Sequence, residues 1–82
     1  MAASGRLRAK AENGVTTGFI VQAPAKTEGA ARLFAGDRRP LSAKAYNMLG
    51  EPVPVSIYPD GSSLLVRYPN DPVGVVVRVS WQ

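Results

Sequence analysis

The side chains with the clearest capacity for chemistry are two groups of basic residues. Arg38 and Arg39 are adjacent in the chain, and Arg6, Arg8 and Lys10 alternate along its first part. Neighbouring guanidinium groups can bind phosphate or carboxylate through paired hydrogen bonds. An alternating basic segment, when extended, can face an anionic surface. A solvated loop and a solubilising tail contain the same residue types, so both interpretations stay open.

Catalytic and metal chemistry has few suitable residues here. The chain contains no histidine and no cysteine, which excludes a histidine general base, a cysteine nucleophile and the usual zinc ligands. Asp60 and Asp71 occur in turn-like segments, where aspartate is expected on structural grounds. No phosphate-binding loop of the Walker or dinucleotide type is visible. The sequence therefore predicts a protein that is not an enzyme and that binds no cofactor, metal or small-molecule substrate.

The charge of the chain is unevenly distributed. The 82 residues have a net charge of +4. Residues 1–44 contain eight basic and three acidic side chains, a net charge of +5, whereas residues 45–82 have a net charge of −1. This asymmetry favours an electrostatic contact made by one part of the molecule, and an arginine-rich solvated surface is the alternative.

No stretch of the sequence approaches the roughly 20 apolar residues of a membrane helix. The first residues lack the apolar segment of a secretory signal. We therefore expect a soluble protein without a membrane partner. The sequence leaves its location unknown, with a virion and the cytoplasm as the candidates.

The first part of the chain combines a basic segment with a strand. Residues 1–14 are rich in alanine, glycine and basic side chains, and they have too little apolar surface to fold alone. We interpret them as a flexible basic arm and residues 15–82 as one small β-rich domain. Residues 15–22 are β-branched and aromatic and lie between Gly14 and Pro24, which predicts a strand.

The middle of the chain gives weaker signals. Residues 23–40 mix glycine, proline and charged residues, and we interpret them as a loop. A short helix over residues 28–34, ended by Gly36, and a short strand over residues 31–35 are the alternatives.

Residues 40–50 predict the one helix of the domain. Their apolar residues recur at the spacing of one helical face, and Gly50 follows as a stop signal. These apolar residues are Leu41, Ala45, Met48 and Leu49. The helix would have only about two turns, so it depends on packing rather than on propensity.

The last third of the chain alternates apolar and polar residues in three runs. Residues 51–58, 63–68 and 75–81 predict strands, because turn clusters rich in proline, glycine and aspartate separate them. We expect these strands to form a three-stranded antiparallel meander. With the strand at residues 15–22 and the short helix, the predicted fold is mainly β, either a small antiparallel barrel or a half-open sandwich.

The last strand also provides a candidate contact surface. Its odd-numbered valines would lie in the core, which leaves Val76, Arg78 and Ser80 on the other face. A partner could approach this exposed side by strand addition or by packing on the face.

These features together predict a structural protein. A short chain without disulfides, with a basic arm and a proline-flanked β module, is typical of subunits of larger assemblies. Capsid decoration or cement proteins, phage tail or connector subunits and ribosomal proteins are examples. We therefore expect a non-enzymatic assembly protein that contacts a protein partner or forms a homo-oligomer. The residues predicted to make these contacts are Arg6, Arg8, Lys10, Arg38, Arg39, Val76 and Arg78.

Two functions of other classes remain as alternatives. In a small nucleic-acid-binding protein, the basic arm and the Arg38–Arg39 pair would bind phosphates, and binding would weaken steeply with salt. A small inhibitor or accessory protein that blocks an enzyme is the third interpretation.

Overall fold

A computed structural model describes residues 2–82, with side chains from residue 3 onward. Over this range it contains nine strands: β1 (Ala2–Ala3), β2 (Arg6–Glu12), β3 (Thr16–Gln22), β4 (Glu28–Phe34), β5 (Pro40–Asn47), β6 (Pro52–Val53), β7 (Ser56–Asp60), β8 (Ser63–Pro69) and β9 (Val75–Trp81). They form an antiparallel four-stranded sheet of order β1-β4-β8-β7 and an antiparallel five-stranded sheet of order β2-β3-β9-β5-β6. Neither sheet closes into a barrel. Across residues 2–82 there is no helix with the length and apolar character needed to cross a membrane.

One hydrophobic core lies between the two sheets, because alternate residues of the central strands point inward. The aromatic rings of Phe19 on β3 and Tyr68 on β8 meet edge to face across the core, with ring centroids 6.0 Å apart. Other buried core residues are Val21, Leu33, Ala45, Leu64, Val66, Val75, Val77, Val79 and Trp81. The mainly β fold and the inward set of valines were thus correctly predicted.

The hairpin of β7 and β8 agrees with its sequence signal, but the predicted meander is wrong. Gly61 has a φ of 60° in the tight turn that pairs Asp60 with Ser63. Beyond β8, the backbone N–H of Asn70 donates to the carbonyl of Thr27, which draws the chain towards the loop after β3. The chain therefore crosses to the other sheet, where β9 lies between β3 and β5.

The helix predicted for residues 40–50 is also wrong, because this segment forms β5 and a turn. Of its apolar stripe only Ala45 is buried, whereas Leu41 is 64% and Leu49 is 86% exposed. A two-turn helix has marginal stability, and β9 has a full side of backbone groups to pair. Hydrogen bonding of residues 40–47 to β9 therefore stabilises a strand more than the apolar spacing of this segment stabilises a helix.

Residues 23–40 were predicted to be a loop, and this prediction is wrong for residues 28–34. They form β4, so the strand alternative was right in type although it placed the strand three residues too late. Gly29 lies directly opposite Tyr68, whose ring covers the glycine. The ring of Tyr68 on β8 thus fills the space that Gly29 of β4, without a side chain, leaves open.

Most of the segment interpreted as a flexible arm lies at the sheet edges, and its first residue is outside the described range. β1 pairs with β4, and β2 pairs with β3 along its length, with a bulge between Leu7 and Ala9. Every side chain of β2 is exposed. The flexibility of this segment stays a prediction for measurement in solution.

Candidate docking surface

The outer face of the five-stranded sheet carries an apolar row that crosses all five strands. Directly opposed residues of antiparallel strands lie on the same face of a sheet. The register therefore aligns Ala9, Ile20, Val76, Tyr46 and Pro52 from β2 to β6. Ile20, Val76 and Tyr46 are half-buried, and the two outer members of the row are exposed. We call this set the apolar row.

A second row, two residues further along the strands, is basic. It places Arg78 of β9 directly opposite Lys44 of β5, and Gly18 of β3 lies on the other side of Arg78. Both basic side chains are exposed, and in residues 2–82 neither forms an ion pair. Like charges directly opposite one another destabilise a sheet by a few tenths of a kcal/mol or more.

The predicted site residues of β2 fall into two groups. Arg6 lies opposite Gln22, whose side chain is on the outer face, so Arg6 joins the surface of Val76 and Arg78. Arg8 lies in the bulge and is exposed.

Lys10 lies opposite the buried Phe19, and its ammonium group is 3.9 Å from a carboxylate oxygen of Glu12, two residues further along the strand. Lys10 therefore belongs to the rim of the sandwich rather than to the outer face.

Acidic side chains are almost absent from the five-stranded sheet. Glu12 is the one acid within its five strands, and it lies opposite the buried Thr17, on the core side. Its carboxylate is bound by the guanidinium of Arg38 at 3.1 Å. The cations of the outer face therefore have no compensating carboxylate on that face.

Arg38 is occupied by contacts within the protein. Its guanidinium lies 4.3 Å from the centroid of the Trp81 ring. It donates to the carbonyls of Phe34 at 2.7 Å and Ala35 at 3.1 Å, in addition to its ion pair with Glu12. These contacts join the loop after β4 to β9 and β2. Arg38 thus connects the two sheets, and two of its three guanidinium nitrogens are engaged within the protein.

Arg39 differs from its neighbour, because its side chain is exposed and its backbone carbonyl accepts a hydrogen bond from the N–H of Gln82 at 2.8 Å. On the core side, the Trp81 indole donates to the hydroxyl of Thr17 at 2.8 Å. The two predicted neighbouring guanidinium groups therefore differ, because that of Arg38 is partly buried against Trp81 and that of Arg39 is exposed.

Sequence reasoning missed Lys44, Ile20, Tyr46 and Pro52. Lys44 and Tyr46 were hidden by their assignment to a helix. The alternation of small and large residues in "SAKAY", residues 42–46, is the period-two signal that could have identified them.

Strand addition at Val76 and Arg78 is incompatible with the topology. β9 is paired on one side by β3 and on the other by β5. Contact with these residues can therefore occur only by packing on the face.

The outer face of the four-stranded sheet has paired charges instead. Arg67 contacts Glu28 at 2.7 Å, and Arg32 contacts Asp60 at 3.3 Å. The hydrogen bond from Arg67 to Glu28 raises the pKa of this guanidinium further above its usual value. On the core side, burial raises the pKa of the Tyr68 phenol, and a nearby hydroxyl partly opposes that shift.

Residues 2–82 contain no cluster of three or more histidine, cysteine or acidic side chains that could bind a metal ion. No protein-family model matches this chain, and neither a curated protein nor a solved structure matches it. The candidate surface is therefore interpreted from its own geometry.

Proposed function

We propose that this chain is a non-enzymatic structural module that docks on an acidic protein surface within a larger assembly. The docking surface is the outer face of its five-stranded sheet. The observation that supports this most is the direct opposition of Lys44 and Arg78 beside the apolar row. An arrangement that costs folding stability and has no compensating carboxylate is expected where a partner provides the opposite charge.

The two rows have complementary roles in this proposal. Removing the apolar row from water would stabilise the complex with the partner by about 25 cal/mol for each Å² of apolar area buried. The cations Arg6, Lys44 and Arg78 direct the partner's orientation and speed its approach, because charge complementarity contributes more to specificity and rate than to affinity. Together they favour a partner with carboxylates beside an apolar ridge.

The proposal excludes catalysis on chemical grounds. The chain has no histidine or cysteine. Three of its carboxylates, Glu12, Glu28 and Asp60, form ion pairs with arginine, and the carboxylate of Asp71 accepts the backbone N–H of Val73 at 2.8 Å. Carboxylates held in this way are poor candidates for general acid or base.

The finer part of the proposal concerns the kind of assembly. We keep the class expected from the sequence, a capsid decoration, cement or tail-connector type of subunit. It is supported by the small disulfide-free β module and by a basic edge strand beside the docking face. A homo-oligomer that uses the outer face on both sides is disfavoured, since the two faces would present cations to each other.

The alternative, a nucleic-acid-binding protein, has weaker support. It required both guanidinium groups of Arg38 and Arg39 to bind phosphates, and Arg38 donates within the protein instead. Arg6, Arg8, Lys44 and Arg78 could still approach phosphates, so a nucleic acid is included as a competing probe in the test.

The test maps binding on the full chain by amide chemical shifts. The probes are a short peptide of mixed glutamate and phenylalanine and a DNA duplex of equal net charge. We expect the peptide to shift the amides of Ile20, Tyr46 and Val76. Arg78→Glu should weaken peptide binding about tenfold or more, because it reverses the charge at the centre of the face. Arg67→Glu, the matched reversal on the other sheet, should leave the affinity unchanged.

Three results would overturn the proposal. The first is equal loss of affinity in both variants, and the second is a set of shifts centred on the four-stranded sheet. The third is tighter binding of the duplex than of the peptide, which would favour the nucleic-acid alternative.

A further inference from the structure

The two sheets have four edge strands, and three of them are short or contain proline. β1 and β6 are two residues long, and they pair with only two residues of β4 and of β5, respectively. β6 also includes Pro52, and β7 includes Pro59, each of which removes one backbone donor. Short strands and prolines are common protection against unwanted pairing at sheet edges.

The fourth edge, β2, is different. It is seven residues long, contains no proline and is paired on one side by β3, as the end strand of its sheet. Alternate backbone N–H and C=O groups of such an edge strand point away from the sheet. Its protection consists of the bulge at Arg8 and of positive charge. Charge protects against most strands, but it attracts an acidic one.

The charges of β2 are almost entirely of one sign. Arg6, Arg8 and Lys10 are all exposed. Glu12, the one acid of this strand, is bound by Arg38 at 3.1 Å. A strand that pairs with β2 would therefore meet three cations and a carboxylate that is already engaged.

We propose that β2 accepts an extended acidic strand of the partner protein, which becomes the sixth strand of the five-stranded sheet. This inference rests on the proposed function, because it specifies how the partner of the docking face is held. Main-chain hydrogen bonds provide affinity in this mode of recognition, and alternate side chains provide specificity.

The register of β2 defines the pattern that the added strand needs. A residue opposite Ala9 would lie on the outer face and extend the apolar row by one strand. A residue opposite Lys10 would lie on the other side, where a carboxylate can pair with the ammonium group. Opposite Ala9 and Lys10, the strand that fits therefore carries an apolar residue next to an acidic one.

A second copy of this chain fits the edge poorly in the registers centred on the middle of β2. If two copies of β2 paired antiparallel about Ala9, Arg8 of each copy would lie opposite Lys10 of the other. Centring the pair on Arg8 or on Lys10 would place that residue opposite its own copy. Like charges directly opposite one another are unfavourable in every one of these registers.

The experiment uses the full chain and a synthetic peptide that alternates glutamate and valine. A control peptide has the same side chains, but every backbone nitrogen is methylated. It therefore has no backbone N–H group that could pair with β2, whichever of its edges approaches. We expect the unmodified peptide to slow hydrogen exchange of β2 amides. We expect the N-methylated peptide to bind at least about tenfold more weakly, since the backbone bonds supply the affinity.

Variants of the protein separate charge from fold. The double variant Arg6→Gln and Arg8→Gln should weaken peptide binding severalfold, because it removes two of the three cations of the edge. The double variant Arg32→Gln and Arg67→Gln is the matched control, since it removes two exposed cations from the four-stranded sheet. It should leave the affinity unchanged, and circular dichroism should show that all variants remain folded.

Each other outcome has a definite meaning. Peptide shifts confined to Ile20, Tyr46 and Val76, with no protection of β2 and equal binding of both peptides, would overturn strand addition but keep the docking face. Protection of β2 in a self-associated chain without peptide would identify a second copy and overturn the acidic-strand proposal. Failure to bind either peptide would overturn both proposals.

Discussion

The outer faces of the two sheets use similar residues in opposite ways. On the four-stranded sheet, Arg67 pairs with Glu28 and Arg32 with Asp60, so each cation is neutralised within the fold. On the five-stranded sheet, Lys44 lies opposite Arg78 without a carboxylate. The cations of one face are paired within the fold, whereas those of the other face are not. This difference, rather than the net charge of the chain, is the basis of the proposed docking face.

Two glycines of the sheets also allow a paired test, because Gly29 lies on the core side of the four-stranded sheet and Gly18 on the outer face of the five-stranded sheet. Gly29→Ala should lower the free energy of unfolding by about 2–3 kcal/mol, because overpacking forces neighbouring atoms to move. An added methyl group would meet the ring of Tyr68, whose Cδ2 atom lies 2.9 Å from the new position, as well as Asn70. Chemical denaturation followed by the fluorescence of the single tryptophan measures this loss.

Gly18→Ala is the control on the outer face of the five-stranded sheet. A methyl group there would meet only the carbonyl of Val77, at 3.7 Å, which is an ordinary contact. We expect no loss of stability, or a gain of about 0.5 kcal/mol from the lower entropy of the unfolded chain. If both alanines cost the same, the packing of Tyr68 on Gly29 would not distinguish the sheets.

Arg38 provides a second test, because it joins the two sheets whose outer faces differ. Arg38→Ala removes the contact with Trp81 and two hydrogen bonds from a charged donor. We expect a loss of about 2 kcal/mol in the free energy of unfolding. The emission of Trp81 should also change in the folded state, since the guanidinium covers its ring.

Arg39→Ala is the matched control for this test, and its exposed side chain should contribute almost nothing to stability. Arg38→Lys should not restore the loss, because an ammonium group lacks the planar fork that serves two carbonyls and the ring. Equal stability of the two alanine variants would mean that Arg38 is available to a partner after all.

The strands that sequence predicted best are those in which alternation and turn residues agree. β3 and β9 alternate fully buried residues with less buried ones, and "PDGS" at residues 59–62 forms the turn between β7 and β8. Local chemistry determines such features, so they can be read from the sequence. Which strands become neighbours is not local. The connection from β8 to β9 could have made a hairpin, and its hydrogen bonds to Thr27 depend on a distant loop.

The candidate site was only partly predictable for a related reason. The outward direction of Val76 and Arg78 follows from period two within one strand. That Lys44 lies opposite Arg78 depends on β5 being a strand, and the apolar spacing of residues 41–49 favours a helix when judged alone. For Arg38 the sequence predicts an exposed loop residue. The residues around it give no sign that its guanidinium lies over the ring of Trp81, 43 positions later in the chain.

The smallest expected effect tests the comparison of the two faces most directly. Arg78→Glu should raise the free energy of unfolding by a few tenths of a kcal/mol, because it converts a like-charge pair with Lys44 into an attractive one. Arg67→Glu should lower stability, because it places two carboxylates together at Glu28. The two variants change the net charge equally, so a general effect of net charge would change the free energy of unfolding of both in the same direction.

Urea denaturation at low and high salt measures these opposite changes. Salt should reduce both, since exposed pairs are screened within about 10 Å at 0.1 M. If Arg78→Glu lowers stability as Arg67→Glu does, then Arg78 has a stabilising partner in the native fold. The outer face of the five-stranded sheet would then be as complete as its counterpart. If the signs are opposite, the protein keeps an arginine that weakens its own fold, which is the result that the proposed acidic partner predicts.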